Sequence, residues 1–327
     1  MKLASRAAIA AAALAALATA GTAWGQATYP AKPIKWIVPY TPGGITDSVT
    51  RLVAQKLEER LGQPVVIENK PGANSIVGVD YVSKAPADGY TMLTVIAAHA
   101  ANATLYAGKL NFDPVKSFEP ISLVAIAPLI LTCNPNFPAK DVKDLIAYAK
   151  ANPGKVSFGS SGVGSATHLT IELLKQTVGI QMEHIPYKGT APGMAASIAG
   201  DIQVLGDVPS SLMPQVRAGK LRALALFAKK RSPGAPEVPT IVEAGGPAVE
   251  GSTWVMFLAP AGTPAAIVNR ISSETAKIVA DPAMRERFEQ IGIEGAGTTP
   301  VETGRFLADE IAKWAKVIQV AGVKAEQ

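Results

Sequence analysis

The sequence predicts an α/β fold with two lobes around a ligand cleft, and three observations carry that reading. Strand-like and helix-like segments alternate along the chain, the pattern of parallel crossovers in an α/β sheet. Residues 37–47 (IVPYTPGGITD) and 156–168 (VSFGSSGVGSATH) each read strand, glycine turn, helix, which aims free N–H groups and the positive end of a helix dipole at one spot. The alternation restarts near Val124 and a last strand with helices follows near Trp254, as in a chain that crosses into a second lobe and comes back.

Taken in order, 34–38 is a β-branched run read as a strand, and 45–61 sets Val49, Leu52, Val53, Leu57 and Leu61 on one helical face before Gly62 stops it. Residues 65–67 are the next strand and Asn69-Lys70-Pro71-Gly72 a turn. A helix over 76–85 then leads through Asp88-Gly89 into a strand over 90–96. In the second lobe 126–132 is strand-like, and 142–149 has helical spacing through Val142, Leu145, Ile146 and Ala149. Pro153-Gly154 ends that helix before a strand over 156–158. Strands over 180–185, 202–205 and 221–227 follow, separated by helical stretches that stop at Gly179, Gly200 and Gly219. A strand over 254–258 precedes three helices between 264 and 320. Ligands of open α/β sheets bind beyond the carboxyl ends of the strands, where both glycine turns fall, so a cleft between the lobes is the expected site.

Residues 1–27 read as a secretory signal peptide: Lys2 and Arg6 form a positive n-region, 7–20 is alanine-rich and apolar, and Ala23-Trp24-Gly25 or Gly25-Gln26-Ala27 offers small residues for cleavage. The apolar stretch is short for a membrane span. Removing the leader lowers the formal charge from +5 to +3. That weak excess, with Lys229-Lys230-Arg231 read as a solvated loop and no interleaved aromatics, argues against nucleic acid as a partner. A single cysteine, Cys133, excludes an intrachain disulfide, and three histidines without metal-ligand spacing give no metal site. Neither a Gly-x-Gly-x-x-Gly nor a Walker loop occurs, so no cofactor is expected. Ser160, Ser161, Ser165 and His168 invite a hydrolase reading. Residues 159–162, however, are Gly-Ser-Ser-Gly rather than a nucleophile elbow, and no acid is evident to orient His168, so binding is expected and not catalysis. His184, in a strand-like run, is read as structural.

Eight stretches carry a resemblance: IVPYTPGGITD (37–47), VVIENKPGA (65–73), APADGYT (85–91), FDPVKSFEPISLV (112–124), FGSSGVGSATHL (158–169), HIPYKGTAPGM (184–194), AGKLRALAL (218–226) and VPTIVEAG (238–245). Each is short, but in this collinear order they resemble the substrate-binding receptors of tripartite tricarboxylate transporters, the Bug family, over essentially the whole mature chain. The resemblance implies a periplasmic binding protein of type II, a Venus flytrap. Lobe 1 would span 28–125 plus 252–327 and lobe 2 126–251, with hinges near 125–127 and 251–254. It implies a monomer in the periplasm that captures a small carboxylate and delivers it to a two-subunit integral membrane permease. Presentation of the closed form to a membrane sensor is the alternative.

By the same resemblance Thr41, Gly43, Gly44, Ile45 and Thr46 form the first carboxylate-binding arm, and Ser160, Ser161, Gly164, Ser165 and His168 the second. The chain departs from the family's pattern at Tyr40 and Thr41, in place of phenylalanine and of proline or alanine, which adds two hydroxyls near the cleft. Gly43 and Gly44 are expected to take backbone angles closed to other residues and to admit the ligand to the main chain. Asp47 either ties down the first loop, pairs with the helix dipole or acts through bound water. Asp207, in GDVPSS, either meets an amino or hydroxyl group of the ligand or serves as a loop acid or helix cap. His99, Asn102, Tyr187 and Lys188 are placed near the cleft, with Lys188 read as a surface lysine.

Overall fold

The computed structural model describes residues 29–325, so the leader read over 1–27 lies outside it. The run IKWIV forms β1 (Ile34–Val38), and the amphipathic stretch after the first glycine turn forms α1 (Ile45–Leu61) with Val49, Val53 and Leu57 buried. Gly62 ends α1 at φ 69°, a left-handed cap whose N–H reaches the Glu58 carbonyl. There follow β2 (Val65–Asn69), α2 (Ile76–Ser83), β3 (Thr91–Ile96), α3 (Ala97–Leu105) and the long β4 (Phe118–Pro128). Beyond Leu129 come β5 (Ile130–Cys133), α4 (Val142–Ala151), β6 (Ser157–Ser160), α5 (Ala166–Val178), β7 (Glu183–Pro186), α6 (Thr190–Ala199), β8 (Val204–Asp207), α7 (Pro209–Arg217) and β9 (Arg222–Leu226). The chain returns through β10 (Ser252–Pro260), α8 (Ala265–Ala280), α9 (Pro282–Gln290), β11 (Glu294–Gly295) and α10 (Pro300–Ala321).

Among the described residues the strands form two sheets, one in the order β11-β4-β10-β3-β1-β2 and one in the order β7-β6-β8-β5-β9. β1 runs parallel to β2 and β3, and β6 parallel to β7 and β8, as the strand and helix alternation predicts. The sheets are nevertheless mixed. β10 is antiparallel to β3 and β4, and β5 antiparallel to β8 and β9, because these strands enter from the other half of the chain without a local crossover helix. The single strand expected over 126–132 is split accordingly: β4 stays paired to β10 up to Pro128, and β5 begins two residues later in the other sheet. Residues 125–127, read as hinge, therefore lie inside a paired strand. The break falls at Leu129, whose N–H donates to the Gly251 carbonyl (3.0 Å) while its own carbonyl accepts from Phe227 N–H (2.8 Å).

Indole groups anchor the larger sheet. Trp36 is fully buried, donates its Nε1–H to the Thr94 hydroxyl (2.9 Å) and meets Phe257 edge-on at 4.5 Å. Trp254 on β10 and Trp314 on α10 both donate to Glu310 Oε2, at 3.0 and 2.9 Å, so one carboxylate pins the last helix to the strand just past the second crossing. A smaller apolar cluster around Ile130, Leu205, Leu212 and Leu226 holds the second sheet to its helices.

Candidate functional site

Between the two sheets lies a cavity of about 540 Å³ whose wall includes Tyr40, Thr41, Gly43, Gly44, Ile45 and Thr46 from one side and Ser161, Ser165 and Asp207 from the other. Five helices begin on it. Gly44 and Ile45 open α1, Ile96 and Ala97 open α3, Ser165 and Ala166 open α5, Gly189 and Thr190 open α6, and Val208 precedes α7. Each of these starts presents backbone N–H groups that have no intrahelical acceptor. At four of them, α1, α3, α6 and α7, no side chain caps the free N–H groups. Of the helices that begin elsewhere, α4, α9 and α10 are capped by Asp141, Asp281 and a Thr299–Glu302 capping box, while α2 and α8 are uncapped. Uncapped donors and converging dipoles make the cavity a place where an anion is stabilised without a charged side chain. Among the described residues no Lys, Arg or His lines it.

A larger cavity, about 1020 Å³, opens from the other side of the crossing segments, with Ser252 on its wall while the adjacent Thr253 faces the smaller one. Its wall mixes Lys229, Lys230, Arg231 and Arg285 with Glu250, Glu289 and Glu294, and no helix of the described residues begins on it. The smaller cavity is therefore the candidate site.

The first arm is an exposed loop with a buried brace. Asp47 does not line the cavity: Oδ2 accepts from Gly43 N–H (3.0 Å) and Arg51 Nε (2.9 Å), and Oδ1 accepts from Asn69 Nδ2 (2.9 Å). Burial alone would raise its carboxyl, but the bonds from Arg51, Gly43 and Asn69 outweigh that and hold it down at about 2. Asn69 also donates to the Tyr40 carbonyl (3.0 Å), so one network ties both ends of the loop to β2. Gly43 sits at φ 87°, where a side chain is strained. Gly44 does not meet the expectation of special angles. It lies at φ −75°, open to any residue, and what glycine supplies there is clear space above the chain. The Tyr40 hydroxyl is buried without a hydrogen-bond partner, and burial raises its pKa.

In the second arm Ser161 and Ser165 face the cavity, and the other residues expected there stand behind it. Ser165 caps α5 by accepting the His168 N–H (3.3 Å). Gly164, at φ 75°, donates its N–H to His168 Nδ1 (3.1 Å), and an added side chain would run into Leu105 at the end of α3. Ser160 is 1% exposed and shares a hydrogen with His184 Nε2 (2.7 Å). His184 stacks on His168 with ring centroids 3.6 Å apart. Burial first, then the neighbouring imidazole and Lys175, lower His168 to about 3, while burial and then Lys175 lower His184 to about 4. The pair supports the loop as neutral rings. Ser160 is sealed from the cavity, and Glu172 stays 3.9 Å from His168 Nε2, beyond hydrogen-bond length, so these residues do not form a Ser–His–acid triad.

Of the other residues placed near the cleft, His99 is buried between Phe112 and Phe118 with Nε2 at 2.9 Å from the Pro114 carbonyl, Tyr187 packs over Gly159 and Gly193, and Lys188 is exposed. Asn102 contributes indirectly: it exchanges two 2.8 Å hydrogen bonds with Asn74, and Asn74 lines the cavity. Asn74, Thr190, Ser210, Ser211 and Thr253 are wall residues that the loop motifs did not single out. For Asn74 a signal exists in the KPGANS turn, where Ala73, Asn74 and Ser75 run at φ 44°, 50° and 78° in succession.

Comparison with known proteins points one way. The sequence model described as the tripartite tricarboxylate transporter family receptor matches residues 49–323. Protein BugT of Bordetella pertussis is 37% identical over 300 residues, covering 91% of each chain. A protein of R. palustris solved with adipate superposes at a TM-score of 0.82 with 35% identity, over 90% of this chain and 99% of that one. The periplasmic binding protein BugD superposes at 0.78 with 34% identity, over 91% of this chain and all of that one.

Proposed function

This chain belongs to the tripartite tricarboxylate transporter receptor family, a family of periplasmic solute-binding proteins of two-lobed type II fold, and from that premise we propose that it captures a small carboxylate and hands it to a two-subunit membrane permease. The observation that carries the reading is the set of five helix starts converging on one cavity between the two sheets, four of them left without a side-chain cap. The carboxylate takes the donors that no side chain has taken. Gly44, Ile45 and Thr46 grip it from one lobe, with Gly43, its N–H held by Asp47, shaping the turn, and Ser161 and Ser165 with the start of α5 grip it from the other. Tyr40 and Thr41 flank the first arm, while Asp47, Ser160, Gly164 and His168 hold the arms in shape. The R. palustris neighbour solved with adipate supports a carboxylate as the ligand class. Contacts to the far arm exist only when the lobes approach, so ligand shifts the population toward a closed form that the permease reads. The leader over 1–27 exports the chain to the periplasm and is removed, and the receptor acts as a monomer.

Thermal unfolding of the mature protein against C4 to C6 dicarboxylates, aromatic acids and amino acids tests the proposal. A ligand at 100 times its dissociation constant adds about 2.7 kcal/mol, a rise of about 5 °C or more for a chain of this size. Protein refolded from denaturant, and so stripped of any resident ligand, that responds to no carboxylate at any concentration would refute it.

A further inference from the structure

Three stretches of chain lie in the wall between the two cavities, and in each of them nearby residues face opposite ways. Pro128 and Ser252 line the larger cavity, whereas Leu129 and Thr253 line the smaller one. These are the chain's two passages between the sheets. The third stretch is the corner between α9 and β11, where Ile291 faces the smaller cavity and Glu289 and Ile293 face the larger. Through β11 the corner belongs to the larger sheet, yet it abuts two loops of the second. A methyl group added to Gly234, beyond β9, would stand 3.0 Å from the Glu289 carbonyl oxygen and 3.2 Å from Gly292 Cα. One added to Gly292 would stand 3.3 Å from the Ser210 nitrogen and 3.4 Å from Pro209 Cβ, at the start of α7.

Each side of this contact is fixed from within its own half. The carbonyl of the fully buried Phe288 accepts from the Ile291 and Ile293 N–H groups (3.2 and 3.0 Å), and Gly292 N–H donates to the Glu289 carbonyl (2.9 Å). Opposite, the Gly234 carbonyl accepts from Arg217 (3.1 Å), and Ala235 N–H closes the turn on the Ser232 carbonyl (3.0 Å). Among the described residues no backbone hydrogen bond joins the corner to residues 208–211 or 232–235, whereas the two passages are bonded to each other. Firm backbone surfaces in contact without directional bonds resist compression and leave rotation free. We propose that the α9–β11 corner is a third, non-covalent bearing of the hinge, with Gly234 and Gly292 setting how closely the two halves approach there. The inference rests on the lobe closure proposed above and adds what confines it. Two passages alone leave the lobes free to twist, while a third support in the same wall restricts them to a bend that shuts one cavity as it opens the other.

Gly234→Ala tests this, because Gly234 lies outside the left-handed region and the added methyl changes only the contact. Cysteines replacing the exposed Glu59 on α1 and Ala195 on α6 carry spin labels, the native Cys133 being fully buried, and pulsed electron spin resonance reads their separation in the refolded, ligand-free mature protein. The measurement contains no ligand, so its outcome is independent of the thermal-shift test of the carboxylate reading. Gly234→Ala is expected to displace the mean separation, since the atoms it meets are backbone and cannot swing aside. Arg217→Gln, which frees the Gly234 turn without crowding the contact, is expected to broaden the distribution. Should Gly234→Ala fail to fold, Arg217→Gln decides, as Arg217 is exposed. Separations that match wild type in every variant that folds overturn the bearing even where the melting temperature falls, because a lower melting temperature alone is what any packing contact would give.

Discussion

Asp47 and the two stacked histidines show how much of the proposed binding loops is built by residues that do not line the cavity. Asp47 spends its charge on Gly43, Arg51 and Asn69, and His168 spends its one acceptor on Gly164. Two adjacent glycines separate the demands of folding from those of binding. Gly43→Ala, at φ 87°, is expected to cost about 1–2 kcal/mol of stability by denaturant unfolding. Gly44→Ala, at φ −75° with open space around it, is expected to leave stability within about 0.5 kcal/mol and to abolish ligand binding in the thermal-shift assay, because its methyl stands where the ligand approaches the main chain. The histidines set a pH dependence. His168 and His184 are lowered to about 3 and about 4 in the fold, so between those values and the ordinary value near 6.5 the unfolded chain binds more protons than the native one. Stability is thus complete above about pH 6.5 and falls as pH drops toward 4. Melting temperatures across that range should decline less steeply in His168→Gln than in wild type.

At the scale of elements, the cavity is where uncapped helix starts gather, although α2 and α8, which begin elsewhere, are uncapped too. Those facing the cavity lack side-chain caps except at Ser165, and three of those facing elsewhere carry them. A cap contributes about 1 kcal/mol, so the uncapped starts forgo stability in exchange for open donors. The turn before α2 stores strain in the same neighbourhood: three non-glycine residues in succession hold positive φ and bring Asn74 to the cavity, locked there by Asn102. Ala73 is exposed at φ 44°, so Ala73→Gly is expected to stabilise the unliganded protein by up to about 1 kcal/mol with affinity unchanged. Chemical denaturation paired with titration of a bound carboxylate reads both quantities.

For the whole molecule, the chain passes between the sheets at Leu129 and Gly251, which are joined to each other and to Phe227 by backbone hydrogen bonds. The proposed closure would turn about these two adjacent passages and leave the paired strands on either side intact, and Glu310, through Trp254 and Trp314, stiffens the first sheet next to the return passage. Small-angle scattering with a carboxylate identified by thermal shift should show a smaller radius of gyration than the ligand-free protein. Identical curves under saturation would mean that capture does not involve closure.

Local chemistry is legible in the order of the residues. The glycine turns at Gly43 and Gly164, the helix over 45–61 with its Gly62 stop and the Ser165 start of α5 are decided by backbone angles, side-chain period and capping, all properties of a few consecutive residues. The order of eight short motifs likewise identifies the family and, with it, the two-lobed architecture. Three elements escape for the same reason in reverse: α3 is an alanine-rich run without a marked apolar face, and β4 continues to Pro128 and β11 forms because each lies beside a strand more than a hundred residues away in sequence. Which side of a loop faces the ligand is also beyond the sequence. Asp47, Ser160 and His168 are turned from the cavity by Arg51, Asn69 and His184, while Asn74 and Thr190 are brought to its wall by neighbours distant along the chain or through their contacts with Asn102 and Asp207. Consecutive residues are thus enough to specify two anion-attracting turns in a two-lobed α/β receptor. Packing in three dimensions sets which groups those turns leave free, because freedom at a helix start or a carboxylate is what remains after every neighbour in space has taken its hydrogen bond.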